Sequence, residues 1–558
     1  MDLEVRERLL ALVRESAEKV VQEIDAKGLE RLDAVQVVPT KSADHGDFAT
    51  NAAMVLGKAL GCSPREIAER IQRALLDPEG IVAKMEIAGP GFLNFFLARS
   101  HWDDLLSRIL REGVSFGCSE AGSGRRVMVE FVSANPTGPL TIGHGRNAVL
   151  GDSIARLLEA TGHEVKREYY FNDGGRQMRV LAQSLRARYE QELGIDSRLP
   201  EDGYQGEYLI RVAEQLSAEQ ERGWLEADED QFKKRAESAM FADIDQTLKD
   251  LGIHFDEYYN EQSLYAEGRV EEALADLKAK GLVYERDGAV WLRSSELGLD
   301  RDRVLVKSTE EPTYLLPDIA YHRESLRRGF DTIIDVLGPD HIEQFPYVRA
   351  AIQALGGAAE RIEVVIYQWV NLRQAGEIVK MSTRKASFIT IDKLLDEVGP
   401  DVFRYFMIER RGDTHIDFDV ELARERSERN PVYKIQYAHA RLCSLIRMGE
   451  SRGITLPAPE EIAWDRLESP TELELAKVLE RFPELVTHAS EAREPQEVAR
   501  YLLDLATTFH SYISDGKRHR VLSDDRGLSV ARLGLVSAIR ATLANGLKLL
   551  GIAAPERM

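Results

Sequence analysis

Cysteine is scarce in this chain: Cys62, Cys118 and Cys443 are the only three in 558 residues, each standing alone. No second cysteine or histidine lies at metal-ligand spacing, which argues against a disulfide framework and against a zinc site. Long apolar runs are lacking as well. None approaches a membrane span, and the N-terminal stretch MDLEVRERLLALVRES carries acids where a secretory signal would be apolar. These absences point to the cytoplasm, with no membrane partner. Positive charge is the third deficit, with 73 Lys and Arg against 94 Asp and Glu and a net charge of −21. A protein that coats nucleic acid nonspecifically is thereby disfavoured, whereas a local basic surface on an acidic body would still select a polyanion of the right shape.

What is present is an ordinary globular composition, 44% hydrophobic and 30% charged, in a chain too long for one hydrophobic core. Leu9, Leu10, Val13, Ala17, Val20 and Val21 recur at helical spacing. Ser63 before Pro64 reads as a helix cap, and EIAGPGFLNFFL as a Gly-Pro turn entering a strand. A small α+β domain over 1–118 results. From Val127 the order strand (VMVEFV), polar loop, amphipathic helix, strand (HEVKREYYF) is a βαβ unit. Ligands of doubly wound sheets bind where strand ends meet helix N-termini, so the loop Ser133–His144 is the expected pocket. The fold class is α/β and multidomain: a doubly wound, Rossmann-type domain over 119–375 with a charged helical insertion at about 176–300, a loop-bearing segment 376–426, and an all-α bundle over 427–558.

Two segments carry the chemistry. FVSANPTGPLTIGHGRNA places Gly143, His144 and Gly145 at a loop-to-helix junction. Glycines there let backbone N–H groups approach a phosphate, and a helix N-terminus adds partial positive charge. His144 as a simple helix cap is the competing reading. The second segment, Lys380–Lys385 (KMSTRK), sets three cations in a polar loop suited to a triphosphate. In this order, with a βαβ unit between them, the two resemble the paired signatures of class I aminoacyl-tRNA synthetases.

Further residues sharpen the resemblance to the arginyl-tRNA synthetases. Val129–Gly145 follows that family's Val-Glu-Phe-x-Ser-x-Asn-Pro-Thr-Gly-Pro-Leu…Gly-His-Gly pattern, and Tyr314–Tyr321 its Tyr-x-x-x-Asp-Ile-Ala-Tyr pattern. NPVYKIQYAHARLCSL and NGLKLLGIAAPERM resemble its anticodon-binding domain, GDFATNAA and AGPGFLNF its N-terminal domain. The resemblance covers nearly the whole chain. It implies a cytoplasmic, monomeric ligase that uses ATP with Mg²⁺ to make arginyl-adenylate and transfers the arginine to tRNA(Arg), with no protein-bound metal and with tRNA required before arginine is activated.

By that resemblance the ATP site comprises Ala134, Asn135, Pro136, Thr137, Gly138, Pro139, Leu140, Thr141, Ile142, Gly143 and His144, together with Lys380, Met381, Ser382, Thr383, Arg384 and Lys385. Thr141 replaces the signature's first histidine and Thr383 its last lysine; whether Arg384 or Lys385 stands in for that lysine is open. A guanidinium is always charged and needs carboxylates if it is to be buried. The resemblance assigns Glu130 and Asp318 to it, with Tyr314 around it, and Ser133, Asn135 and His341 to the α-amino and carboxylate groups. Glu130 paired with a nearby arginine is the alternative. A site built on such contacts rejects citrulline and lysine without an editing domain.

Unstacked RNA bases are held by aromatic, polar and Arg groups. Tyr433, Gln436, Tyr437, His439 and Arg441, in one helical segment, are the candidate tRNA contacts, with core packing the alternative for the two tyrosines. Lys517–Arg520 (KRHR) is either a phosphate contact or a solvated loop. Two other functions stay in view: a class I synthetase for lysine, and a noncatalytic tRNA-binding relative in which Thr141 and Thr383 are lesions.

Overall fold

The apolar run Val127–Val129 is buried throughout, as expected of a strand covered on both faces. It lies in β1 (Arg126–Glu130), the middle strand of a five-stranded parallel sheet. The others are β2 (Glu164–Phe171), β3 (Glu257–Asn260), β4 (Thr332–Leu337) and β5 (Ile362–Ile366), and the spatial order is β5-β4-β1-β2-β3. Chain order therefore reverses between β1 and β4, where doubly wound sheets open a crevice at their carboxyl ends. This computed structural model describes residues 5–40, 43–220, 222–379, 389–516 and 518–558.

The chain divides into two compact units, one of residues 1–113, 445–484 and 512–541, the other of 114–444, 485–511 and 542–558. In the first, an antiparallel four-stranded sheet runs Val37–Pro39, Phe48–Thr50, Phe92–Leu97, Val82–Ala88 in spatial order. The helix Val5–Ile24 buries Leu9, Val13, Ala17, Val20 and Val21. Ser63 caps Pro64–Ala74 by accepting from Glu66 N at 3.2 Å. The Gly89-Pro90 turn enters the strand Phe92–Leu97 as expected, and a second strand precedes it, Met85–Ala88 pairing back on Phe92–Phe95. In this unit Trp464 Nε1 donates to Ser107 Oγ at 2.8 Å.

The second unit holds the parallel sheet. β4 sits between β1 and β5 with helices α1 (Ile142–Ala160), α2 (Leu315–Arg327) and α3 (Phe345–Ala354) following β1, preceding β4 and preceding β5 respectively. Met128, Ile319, Ala320, Phe330, Ile333 and Ile352 share one core cluster. The helices Gly175–Glu192, Glu207–Gln220 and Glu229–Asp250 form a second around Leu181, Leu185, Leu209 and Phe232.

The helical insertion expected at about 176–300 is thus interrupted. Residues 257–260 are a strand of the main sheet, and Val283–Arg286, Ala289–Leu292 and Arg303–Val306 make a separate antiparallel sheet. Four residues of Tyr- and Asn-rich edge strand are too short to register as a period in the sequence.

The helices from α4 (Pro431–Ser451) onward are shared between the two units. Arg526–Leu549 is long and apolar enough to cross a membrane by length and composition, contrary to the reading of the sequence. Two thirds of its apolar window (67%) is buried within the protein, which marks a core helix.

Candidate functional site

A cavity of about 500 Å³ opens at the reversal point of the sheet, lined by the ends of β1, β2 and β4, the start of α1 and the first turns of α2. Glu130, Ser133, Ala134, Asn135, Thr141, Gly143, His144, Tyr314, Asp318 and His341 all border it. Leu140 and Ile142 are buried behind it. The second signature, Lys380, Met381, Ser382, Thr383, Arg384 and Lys385, lies outside the described residues, as does Lys517. A described neighbour reaches the first signature: Thr390 bridges to Thr141, and Ile391 N donates to Leu140 O at 3.0 Å.

β1 ends in a strained turn. Val132 and Ser133 have φ of 64° and 45°, a region a β-branched residue enters only when its surroundings compel it. Asn147 of α1 supplies the compulsion. Its Oδ1 accepts from Val132 N at 2.6 Å, and its Nδ2 donates to Val336 O of β4 at 2.8 Å, which joins strand, helix and neighbouring strand. Ser133 Oγ then donates to Glu130 Oε1 at 2.7 Å and accepts from Tyr170 N at 3.2 Å. Asn135 Oδ1 accepts from Asn172 N at 3.0 Å, and its amide donates to Gln177.

His144 is both a cap and a cavity wall. Its Nδ1 accepts from Thr141 N at 3.1 Å, so in the neutral ring the proton resides on Nε2 as a donor. Burial holds its pKa down at about 4, which keeps the ring neutral at pH 7. The two flanking glycines differ in purpose. A side chain on Gly143 would meet only Thr141 Oγ1, at 3.9 Å, whereas one on Gly145 would lie 2.5 Å from Phe403 Cζ. Gly143 leaves room for a ligand; Gly145 is required by packing, not by phosphate approach as its place in the motif suggested.

Acids dominate the floor. Asp335, Glu130, Glu168 and Glu257 are in register across β4, β1, β2 and β3, so four carboxylates project from one face of the sheet. Arg328 donates to Glu168 at 2.5 and 2.9 Å and to Glu257 at 3.0 Å. His322 Nε2 lies 2.9 Å from Asp335 Oδ2. Among the described residues Glu130, 6% exposed, has only the Ser133 hydroxyl as a side-chain hydrogen-bond partner, and no Lys or Arg forms an ion pair with it or with Asp318. Burial, then the charge of Asp335, pushes the Glu130 carboxyl well up. Burial raises Asp318 to about 6, opposed by His322 and by Gln344, whose Nε2 donates to Asp318 Oδ2 at 2.6 Å. Tyr314, on the turn before Asp318, is 68% exposed at the rim. His341 is exposed at the mouth.

The structure adds residues the sequence did not single out. Glu261 lines the cavity and accepts from Tyr170 Oη at 2.8 Å and Asn172 Nδ2 at 2.7 Å. Asn147, Gln344, His322 and Asp335 complete the set. Asn147 lay inside the quoted signature; the others carry no local pattern, since Asp335 meets Glu130 through sheet register, while Glu261 and His322 sit on helices and Gln344 caps α3.

On α4 the expected RNA-facing set divides by helix face. Gln436 is buried and donates to Asp401 Oδ2 and Ala553 O; His439, also buried, bonds Pro555 O. Both are thereby withdrawn from the expected tRNA contacts, because their side chains fix the C-terminal tail. Tyr433 and Tyr437 are half-buried and stack at 6.0 Å, and Tyr437 stacks on His510 at 5.8 Å, giving three nearly parallel rings. Arg441 is exposed.

Three family descriptions match the chain: "Arginyl tRNA synthetase N terminal domain" over 7–97, "tRNA synthetases class I (R), catalytic domain" over 105–413, and "DALR anticodon binding domain" over 435–558. The chain belongs to the arginyl-tRNA synthetase family. The arginine–tRNA ligase of Desulfotalea psychrophila is 49% identical over 519 residues, 93% of this chain and 94% of that protein. That of Desulfosudis oleivorans is 43% identical, covering 99% and 100%. Thermus thermophilus arginyl-tRNA synthetase superposes with a TM-score of 0.75 at 25% identity, covering 99% of this chain and 100% of that one. The family's reaction is the ATP-dependent aminoacylation of tRNA with arginine, and this chain is a class I ligase of that kind.

Proposed function

We propose that this enzyme carries out that reaction in the cavity at the sheet's reversal point, with Glu130 and Asp318 as the carboxylates that bind the arginine guanidinium. One observation carries the reading. These two acids border one cavity, and among the described residues no Lys or Arg pairs with either; the cation they await is the substrate. A guanidinium ion is the cation that two separated carboxylates bind best, since it offers donors in a planar fork. Tyr314 closes over it from the rim, and Ser133, Asn135 and His341 serve the α-amino and carboxylate groups.

ATP, entering with Mg²⁺ as part of the substrate, takes the side of the cavity at the α1 N-terminus. There the open face of Gly143, the helix-end N–H groups and the Nε2–H of His144 meet the phosphates. The arginine carboxylate attacks the α-phosphorus and pyrophosphate leaves; positioning and neutralisation of phosphate charge supply the catalysis. Ala134 to Ile142 shape the binding loop, Thr141 donating as a hydroxyl where other members carry histidine. Lys380, with Arg384 or Lys385 and the intervening Met381, Ser382 and Thr383, follows the pyrophosphate. The terminal ribose of tRNA(Arg) then takes the arginyl group and releases AMP.

The N-terminal domain (1–118) and the helical domain (427–558) hold the tRNA, the latter through Tyr433, Tyr437 and Arg441. The enzyme works as a cytoplasmic monomer. ATP–pyrophosphate exchange with each amino acid, with and without tRNA, tests this: exchange with arginine only, and only with tRNA, is expected. Folded protein that binds tRNA but supports no exchange would instead identify a noncatalytic relative.

A further inference from the structure

We propose that His322 is a positioning residue for arginine recognition, a buried imidazolium that ties Asp318 to Asp335 and so reserves Glu130 and Asp318 for the guanidinium. The inference rests on the reading of Glu130 and Asp318 as the arginine site.

The argument begins with proton counting. His322, on α2 and 6% exposed, has Nδ1 2.7 Å from the carbonyl oxygen of Asp318 and Nε2 2.9 Å from Asp335 Oδ2. A carbonyl oxygen cannot donate, nor can an ionised carboxylate, so both ring nitrogens must. A neutral imidazole has one N–H; two donated bonds make the ring a cation. Phe345 of α3 stands edge-on to the ring at 5.8 Å and holds its plane. The groups around it are acidic or neutral: Asp318 and Tyr321 on its own helix, Asp335 on β4, Glu130 on β1, Gln344 and Phe345 leading into α3. Burial, the largest single influence, would discharge the ring, but the charge and hydrogen bond of Asp335 together with the carbonyl and charge of Asp318 outweigh it and lift the pKa to about 9.

The consequence is a pattern of compensated and uncompensated charge along the register row. Arg328 answers Glu168 and Glu257, and His322 answers Asp335. Glu130, between the two answered acids, is left for an incoming cation. Without the His322 charge, Asp335 and Glu130 would be adjacent bare carboxylates, and such a pair retains a proton. Glu130, already pushed up by burial and by Asp335, would then be harder still to ionise for arginine, while the Asp318 carbonyl would lose its link through the ring to Asp335.

Two measurements test this on the full-length enzyme. Nitrogen-15 NMR of histidine-labelled protein should show both His322 ring nitrogens protonated at pH 7, with release only near pH 9. In ATP–pyrophosphate exchange with tRNA present, His322→Gln should raise the arginine KM roughly ten- to hundredfold, the loss of a charged hydrogen bond, with the ATP KM unchanged. The double variant His322→Gln/Asp335→Asn removes both charges together and should recover most of that loss, which a merely structural role would not allow. A neutral ring at pH 7, a wild-type arginine KM in His322→Gln, or a double variant no better than the single one overturns the proposal. Asp318→Asn tests the underlying pocket: a wild-type arginine KM there refutes the pocket reading itself, whatever His322 does.

Discussion

Replacing Asp318 with Asn should make the empty enzyme more stable while abolishing its response to arginine. Burial raises this carboxyl from 3.8 to about 6, which corresponds to ~3 kcal/mol of penalty on the ionised form. An acid whose pKa rises on folding binds its proton more tightly in the folded state. Stability therefore falls as pH rises from 3.8 to about 6 and stays lowered above it. At pH 7.5 the unliganded protein carries that cost. Asn keeps an oxygen for Gln344 Nε2 to donate to and carries no charge, so the cost disappears. Since Asp318 is only half-buried, roughly 1–2 kcal/mol of it should be recovered, a rise of about 1–2 °C in melting midpoint for a chain of this length. Arginine at a hundred times its Kd should stabilise the wild-type enzyme by ~2.7 kcal/mol, and Asp318→Asn not at all. Thermal melts with and without arginine measure both effects. A variant that melts lower than wild type when empty, yet is still raised by arginine, would refute the reasoning.

Three other outcomes are expected. The arginine KM, measured by pyrophosphate exchange, should rise as pH falls through about 6, because Asp318 binds the guanidinium only when ionised; a flat profile from neutral pH into that range would contradict it. Gly145→Ala should lower the melting midpoint, since its new methyl would lie 2.5 Å from Phe403 Cζ, whereas Gly143→Ala should melt normally and raise the ATP KM. Tyr437→Ala, which removes the middle ring of the Tyr433–Tyr437–His510 stack, should weaken tRNA binding by ~1–3 kcal/mol if a base stacks there, with the melting midpoint little changed; unchanged affinity in a filter-binding titration would assign the stack to packing.

Short-range features were legible in the sequence because a few consecutive residues determine them. The strand Val127–Glu130, the α1 helix and its glycine-rich start, the Ser63 cap and the turn of helix between Tyr314 and Asp318 each follow from local periodicity, capping or composition. The family motifs extended that reading to Glu130 and Asp318, whose side chains the fold brings to one cavity from strands and helices nearly 190 residues apart in sequence. Face and partner were not legible in the same way. Nothing local separates Gln436 and His439, turned inward to bind the C-terminal tail, from Tyr433 and Tyr437 on the adjoining face. Gly143 and Gly145 read alike until Phe403, far along the chain, occupies the space beside one of them. The row Asp335–Glu130–Glu168–Glu257 exists only because four parallel strands align in register, and that register also decides which acids Arg328 and His322 can neutralise. Sequence determined the elements and the chemistry they carry; the balance of charge that leaves Glu130 open to a cation was decided by tertiary structure, because buried electrostatics depends on distances across the sheet, not along the chain.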